Sequence, residues 1–422
     1  MLLLKEGVFL ELIYILLILL LFARVFGEIS VWLGQPALVG ELVAGITIGS
    51  VASYHSSSLP ILSSLTQNDT FLAIADLGVF FLMLLGGVEL KAKKITNASK
   101  PAIIVAAFGM VVPLVAGYGI GYWLFPESEY KTAQCLFTGT ALAITAVPVT
   151  IRVLMDLGKL ESKVGGLIVS AAIIDDILSL ILLAILTAFI ANGTAPSFDQ
   201  IVMLLGKVFT FFTICAIFGV FVFPRFRLLT KLKSAEFEFT CLLIVALGLA
   251  FLAEALHLHF IIGAFMAGLF FGREAAGNHT YDDIKEKLNA ITKGFLAPIF
   301  FVSIGLHLDL SAFTQIPFFV AIMLSVAIFA KLLGAGIPAR FVGYDATNSA
   351  AVGIAMSGRG AVELIIADIA LRAGLFSKPS PAPPEIKYLF STIVIVAVVT
   401  TILSPIGLKW VYRKERIEES RT

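Results

Sequence analysis

The 422 residues are 59% apolar and only 14% charged, with a formal net charge of +1. Soluble domains run nearer to about 45–50% apolar and about 25% charged, so a water-facing fold of this length would leave far too much apolar side chain on its surface. A charge this close to zero gives no indication of a nucleic-acid partner, and none is expected. The three cysteines, Cys135, Cys215 and Cys241, show no CxxC or metal-ligand spacing, and nothing in the chain calls for a resident cofactor.

A membrane helix needs roughly 20 mostly apolar residues, and on that measure the sequence predicts an all-α integral membrane protein of about 13 transmembrane helices. They are expected near 8–26, 36–52, 70–90, 101–124, 132–155, 163–192, 199–223, 237–256, 258–273, 290–308, 313–341, 347–374 and 386–412. The first run reads as a span and not a signal peptide, because Glu6 and Glu11 spoil a basic leader and no A-x-A site follows. Most of the 30 Lys and Arg fall in connections on the side of the C-terminus, while Lys5, Lys131, Arg372, Lys378 and Lys387 fall on the other. The bias predicts an N-terminus outside and a C-terminus in the cytoplasm.

An odd number of spans has a structural meaning. A repeat over 1–195, a linker helix over 199–223 and a second, upside-down repeat over 237–412 would make 1–422 a single membrane transporter domain with no C-terminal soluble regulatory domain. Such folds place their ion site where corresponding helices of the two repeats are broken. The fifth span of each half carries an interruption: Thr145-Ala146-Val147-Pro148 in one, Ser357-Gly358-Arg359-Gly360 in the other.

Ionisable groups inside spans cost roughly 2.5–3.5 kcal/mol each on insertion scales, so each asks for a reason. Asp175 and Asp176 are adjacent near the centre of the sixth span, with at least ten apolar-dominated positions on each side. Successive helical residues point about 100° apart, so one carboxylate can face a partner and the other a cavity. Carboxylate oxygens suit a hard monovalent cation, and a carboxylate out of water also binds a proton readily, so the two compete for one place. Lys331, within the eleventh span, needs a counter-ion, and an Asp is the natural one; the other use is to snorkel to the interface that Arg340 marks about 13 Å further on. Arg359 and Glu363 are spaced to pair, either as structural support for the broken helix or to tune access. Thr145 can offer a hydroxyl to a cation beside unwound carbonyls, or bond its own backbone. Glu41, Asp76 and Glu254 stand singly in or near spans, and His257 and His259 fall in a short outer connection. The glycine pairs Gly45/Gly49 and Gly117/Gly121 are spaced to let helices approach closely. An intramembrane aspartyl protease would need two carboxylates facing each other at about 3 Å, which neighbours on one helix cannot do. A channel would need filter-like loops that are absent from the sequence.

In order along the chain, Gln35-Pro36-Ala37-Leu38-Val39-Gly40-Glu41 with Ala44-Gly45, Leu77-Gly78-Val79, Gly87-Val88-Glu89-Leu90, Ile262-Gly263-Ala264-Phe265-Met266-Ala267-Gly268, Pro298-Ile299-Phe300-Phe301-Val302-Ser303-Ile304-Gly305, the Asp175-Asp176 pair and Lys331 carry a resemblance. The sequence resembles the monovalent cation:proton antiporter-2 family, in particular its Na⁺/H⁺ antiporters of the NapA and GerN kind. The resemblance implies secondary exchange of Na⁺ (or Li⁺) for H⁺ across a prokaryotic cytoplasmic membrane and no enzymatic activity. It implies a homodimer with a dimerisation domain and a mobile core domain in which two broken helices cross. It also implies that Asp176 is the main ion and proton carrier, that Asp175 pairs with Lys331 until a cation binds, and that two Asp residues go with electrogenic exchange. Three places depart from the family pattern: Gly49-Ser50 stands where Gly-Pro often ends the second span, the break in the fifth span carries Pro148, and Gly358-Arg359-Gly360-Ala361-Val362-Glu363-Leu364 is similar to relatives that handle K⁺. A K⁺/H⁺ antiporter of the same fold is therefore the alternative expectation.

Overall fold

The computed structural model describes residues 2–55, 60–89, 99–145, 154, 159–160, 162–192, 198–221, 235–256, 258–271 and 278–419. Pro148 and His257 lie outside them. Every regular element among the described residues is helical: α1 Leu2–Trp32, α2 Ala37–Tyr54, α3 Asp69–Glu89, α4 Lys100–Leu124, α5 Lys131–Ala143, α6 Lys163–Asn192, α7 Phe198–Phe221, α8 Ala235–Ala255, α9 Phe260–Phe270, α10 Asn278–Ile291, α11 Ala297–Leu306, α12 Pro317–Phe341, α13 Ala346–Ala355, α14 Ala361–Arg372 and α15 Leu389–Glu419, with short helical turns between some of them. Eight helical stretches among the described residues are long and apolar enough to cross a membrane, and Ala37–Ala52, Gly206–Gly219 and Phe260–Phe270 are shorter apolar helices. Large apolar side chains such as Leu17, Leu21, Phe251 and Phe341 face outwards, as expected where the solvent is lipid.

The chain separates into two compact units, Met1–Ala92 with Lys207–Leu308, and Lys93–Gly206 with Asp309–Thr422. In the first unit, Ile15, Leu19 and Ala23 of α1, Ala44 and Ile48 of α2, Phe71 of α3 and Ile299 and Val302 of α11 form one core. Gly45 lets α2 lie against α11: a Cβ there would sit 2.8 Å from the Cα of Gly305. The tenth span begins earlier than hydropathy predicts. Its helix starts at Asn278, runs through a π-helical turn at Thr292–Leu296 and continues to Leu306. The segment 278–291 carries Asp282, Asp283, Lys285, Glu286 and Lys287, so an apolar window misses it, yet Tyr281, Ile284 and Leu288 recur at helical spacing and are buried. Tyr281 donates its phenol to Val88 O at 2.8 Å, closing an orphan carbonyl at the end of α3.

The second unit packs α4, α5, α6, α12, α13, α14 and α15. Its core is rich in alanine — Ala102, Ala106, Ala171, Ala172, Ala335, Ala339, Ala351 and Ala355 — which brings backbones close. Gly117 does the same between α4 and α5, where a Cβ would lie 2.8 Å from Gly139 Cα. Both glycine pairs therefore serve contacts within one chain.

Candidate cation-binding site at two helix breaks

The site is built where two helices of the second unit stop inside apolar sequence. The helix α5 ends at Ala143, and Ile144 turns to an extended conformation (φ −74°, ψ 146°). A proline cannot donate to the carbonyl four residues back, so Pro148 forbids the helical bond to Ile144 and makes this a natural stopping place. The helix α13 ends at Ala355, and α14 starts at Ala361, leaving Met356–Gly360 outside regular helix. Gly358 and Gly360 lower the helical preference of that stretch. The ends of α5 and α13 fall beside the interruptions that the sequence predicts, and the residues after Thr145 in the first lie outside the described ones.

Each break leaves backbone groups that need partners in a place without water. Arg359 serves the first: its Nη1 donates to Ala141 O and its Nη2 to Leu142 O at 2.8 Å, so a guanidinium sits on the negative end of α5. Glu363, in the first turn of α14, accepts from the same Nη1 at 2.8 Å, with both side chains fully buried. A carboxylate at a helix N-terminus and a cation at a helix C-terminus each complement the local dipole. The pair forms at the spacing the sequence gives it, and it runs from the non-helical link into the first turn of the next helix. The second break is served by α15 and α5. Thr401 donates to Arg359 O at 2.6 Å, Ser404 to Ile354 O at 2.9 Å, and Thr145 to Met356 O at 3.1 Å.

Thr145 also accepts from Lys331. The Nζ of Lys331 lies 2.6 Å from Thr145 Oγ1 and 3.5 Å from Asp175 Oδ1. Lys331 and Asp175 are wholly buried, so Lys331 does not snorkel and its counter-ion is the predicted aspartate. Asp176, the next residue on α6, is only partly buried. The two carboxylates thus face different surroundings, as the 100° separation requires. Breaking such a pair by removing one partner costs about 3–5 kcal/mol, because the other charge is left in a dry interior. The structure brings together Asp175, Lys331, Thr145, Arg359 and Glu363; Pro148 is outside the described residues. Glu254, which stood alone in the sequence, accepts from the amide of Phe260 at 3.0 Å and so caps α9.

A family model described as "Sodium/hydrogen exchanger, transmembrane" matches residues 14–414. The chain belongs to the sodium/hydrogen exchanger family. Among relatives, the Na(+)/H(+)-K(+) antiporter GerN of Bacillus cereus is 30% identical over 402 residues, covering 95% of this chain and 96% of that protein. A Na(+)/H(+) antiporter of Enterococcus hirae is 28% identical over 405 residues, 96% of this chain and 99% of the relative. The sodium proton antiporter MjNhaP1 from Methanocaldococcus jannaschii has the same fold, with a TM-score of 0.71 over 96% of this chain and 97% of its own at 18% identity. These relatives are transporters, and the sodium/hydrogen exchanger described here is an integral membrane protein like them.

Sequence reasoning missed Thr401 and Ser404. A hydroxyl in an apolar helix most often bonds its own backbone, as Thr400 does with Val396 O at 2.7 Å. Nothing in the sequence separates Thr400 from its neighbour. It also missed Gln134, whose buried amide holds Leu375 O at 2.9 Å and Lys378 O at 2.7 Å and so fastens the segment after α14 to α5.

Proposed function

We propose that this exchanger swaps a monovalent cation, Na⁺ or Li⁺, for protons, with Asp176 as the carboxylate that binds one or the other and Asp175 held by Lys331 until the cation arrives. The observation that carries the reading is the wholly buried Lys331–Asp175 pair at 3.5 Å, beside a second, less buried carboxylate and two interrupted helices. An ammonium that long a distance from its partner is readily displaced by a cation taking oxygen ligands. Thr145 and the ends of α5 and α13 supply neutral oxygens for such an ion. Arg359 and Glu363 hold the breaks open.

The same reading takes the chain as thirteen spans: the eight long apolar helices, the three shorter ones, and two interrupted spans, one begun by α5 and expected over 132–155, the other made of α13 with α14. Each compact unit draws one stretch from each half of the chain, which supports two inverted repeats over 1–195 and 237–412 about a linker at 199–223. All the site residues belong to one unit, which supports an elevator in which that unit carries the ion within a homodimer, the N-terminus outside and the C-terminus cytoplasmic. Two carboxylates beside one ammonium favour an electrogenic cycle. A second reading, exchange of K⁺, rests on the similarity to GerN, a Na(+)/H(+)-K(+) antiporter, and on the Gly-Arg-Gly-Ala-Val-Glu-Leu run at 358–364.

Proteoliposomes with an internal pH dye decide between them. Na⁺ or Li⁺ added outside is expected to move protons with the native chain and to move none with Asp176→Asn. Proton movement with K⁺ alone would transfer the assignment to the second reading. Normal exchange by the mutant would remove Asp176 from the mechanism.

A further inference from the structure

Displacing Lys331 from Asp175 raises a question of charge that the exchange reading leaves open. An ammonium freed inside a dry protein must find a new partner or give up its proton. We propose that Glu363 is that partner: when a cation occupies the aspartates, Lys331 passes from Asp175 to the second oxygen of Glu363 and stays protonated through the cycle. The inference rests on the exchange reading above and adds to it a residue that sets how many protons move.

The geometry carries it in three steps. First, Lys331 is already loosely held by Asp175, at 3.5 Å, and tightly by the neutral hydroxyl of Thr145, at 2.6 Å. An ammonium has three donors, so one remains to be placed. Second, Glu363 is wholly buried and uses one oxygen on Arg359; its Oε2 accepts no hydrogen bond among the described residues. A buried carboxylate oxygen without a donor is costly to leave and a ready acceptor. Third, Lys331 and Glu363 lie within electrostatic reach of each other and are gathered at the end of α5: Lys331 bonds Thr145, just past that end, and Glu363 bonds Arg359, which holds the carbonyls of Ala141 and Leu142. Arg359 does not need all of Glu363, because its Nη1 and Nη2 also bond the two carbonyls. The transfer breaks one ion pair and makes another, moves no proton, and leaves Asp175 and Asp176 as the groups that exchange protons for the cation. Glu363 is in this account a positioning residue, since it touches Lys331 and not the transported ion.

A double-mutant cycle on Na⁺ affinity tests it, read as the Na⁺-dependent thermal stabilisation of the purified full-length chain in detergent, which needs no transport activity. The variant Arg359→Gln/Glu363→Gln removes both charges at once, so it strands no guanidinium and leaves the net charge of the cluster unchanged. It is expected to weaken Na⁺ binding about tenfold in the native background and less than twofold in a Lys331→Gln background, where no ammonium needs rehousing. Equal weakening in both backgrounds would overturn the proposal, since a purely structural role for the pair acts alike in both. So would unaltered binding in the native background. A structure of the native chain in saturating Na⁺ or Li⁺ gives an independent answer: Lys331 Nζ within hydrogen-bonding distance of Glu363 Oε2 is expected, and Lys331 still on Asp175 would refute the transfer. If no alkali cation stabilises even the native chain, it is the exchange reading that fails first.

Discussion

Thr145 shows how much one hydroxyl can hold. It receives the shortest bond that Lys331 makes and donates to Met356 O, so one side chain joins the end of α5 to the end of α13. Thr145→Val keeps the shape and removes both bonds, leaving an ammonium and a carbonyl short of partners in a dry interior. The expected loss is about 1–3 kcal/mol, read as a lower unfolding midpoint in detergent. Thr145→Ser keeps the hydroxyl and is expected to remain within about 1 kcal/mol of the native chain. A Val variant as stable as the native chain would show that neither bond matters. The Asp175-Asp176 pair stands out at this scale because ionisable residues in apolar runs are costly and ask for a reason. The roles of Arg359 and Thr145 were half legible. Their types and places were plain, but their partners lie 186 to 218 positions away in sequence. No local spacing encodes a contact of that range.

Among elements, the interrupted helices were foreseen and the tenth span was not fully so. Ser-Gly-Arg-Gly in mid-membrane disfavours a helix by composition alone, and a proline such as Pro148 is read the same way in sequence because it lacks a donor. The helix from Asn278 escaped because its burial is periodic and its mean composition polar, which a span-length window averages away. Helix ends outside the membrane obey ordinary rules. Asp345 caps α13, accepting from the amide of Asn348 at 3.5 Å and from its side chain. Partial burial works against its ionisation, but hydrogen bonds from the Asn348 side chain and from the amides of Asn348, Asp345 and Thr347 outweigh it and hold the carboxyl below the usual range. A carboxyl depressed in the folded state contributes stability above its unfolded value, near about 3.9, and loses it as pH falls through the folded value. Asp345→Ala is therefore expected to cost about 1 kcal/mol near neutral pH. The difference between native and mutant chains should shrink as pH falls through the folded value of the Asp345 carboxyl. A difference that persists unchanged in acid would mean that the cap works without its charge.

For the whole molecule, the number of charges moved per cycle is the sharpest test of the proposed chemistry. If two protons exchange for one cation, one net charge crosses, and the membrane potential contributes about 2.3 kcal/mol per 100 mV. Clamping proteoliposomes at different potentials with valinomycin and K⁺ is then expected to change the initial Na⁺-driven rate. A rate indifferent to potential would mean one proton per cation, with only one of the two aspartates turning over.

The buried cluster also has a history within each newly made chain. Asp175 and Lys331 are 156 positions apart. At a synthesis rate of about 5–20 residues per second, the carboxylates enter the bilayer roughly 8 to 30 seconds before their ammonium exists. The carbonyl end of α5 waits longer still for the guanidinium that will cover it. During that interval the early helices carry a pattern of charge and open backbone that only the late helices can complete. The ribosome therefore delivers this ion site in two instalments, and the first must persist in lipid unfinished.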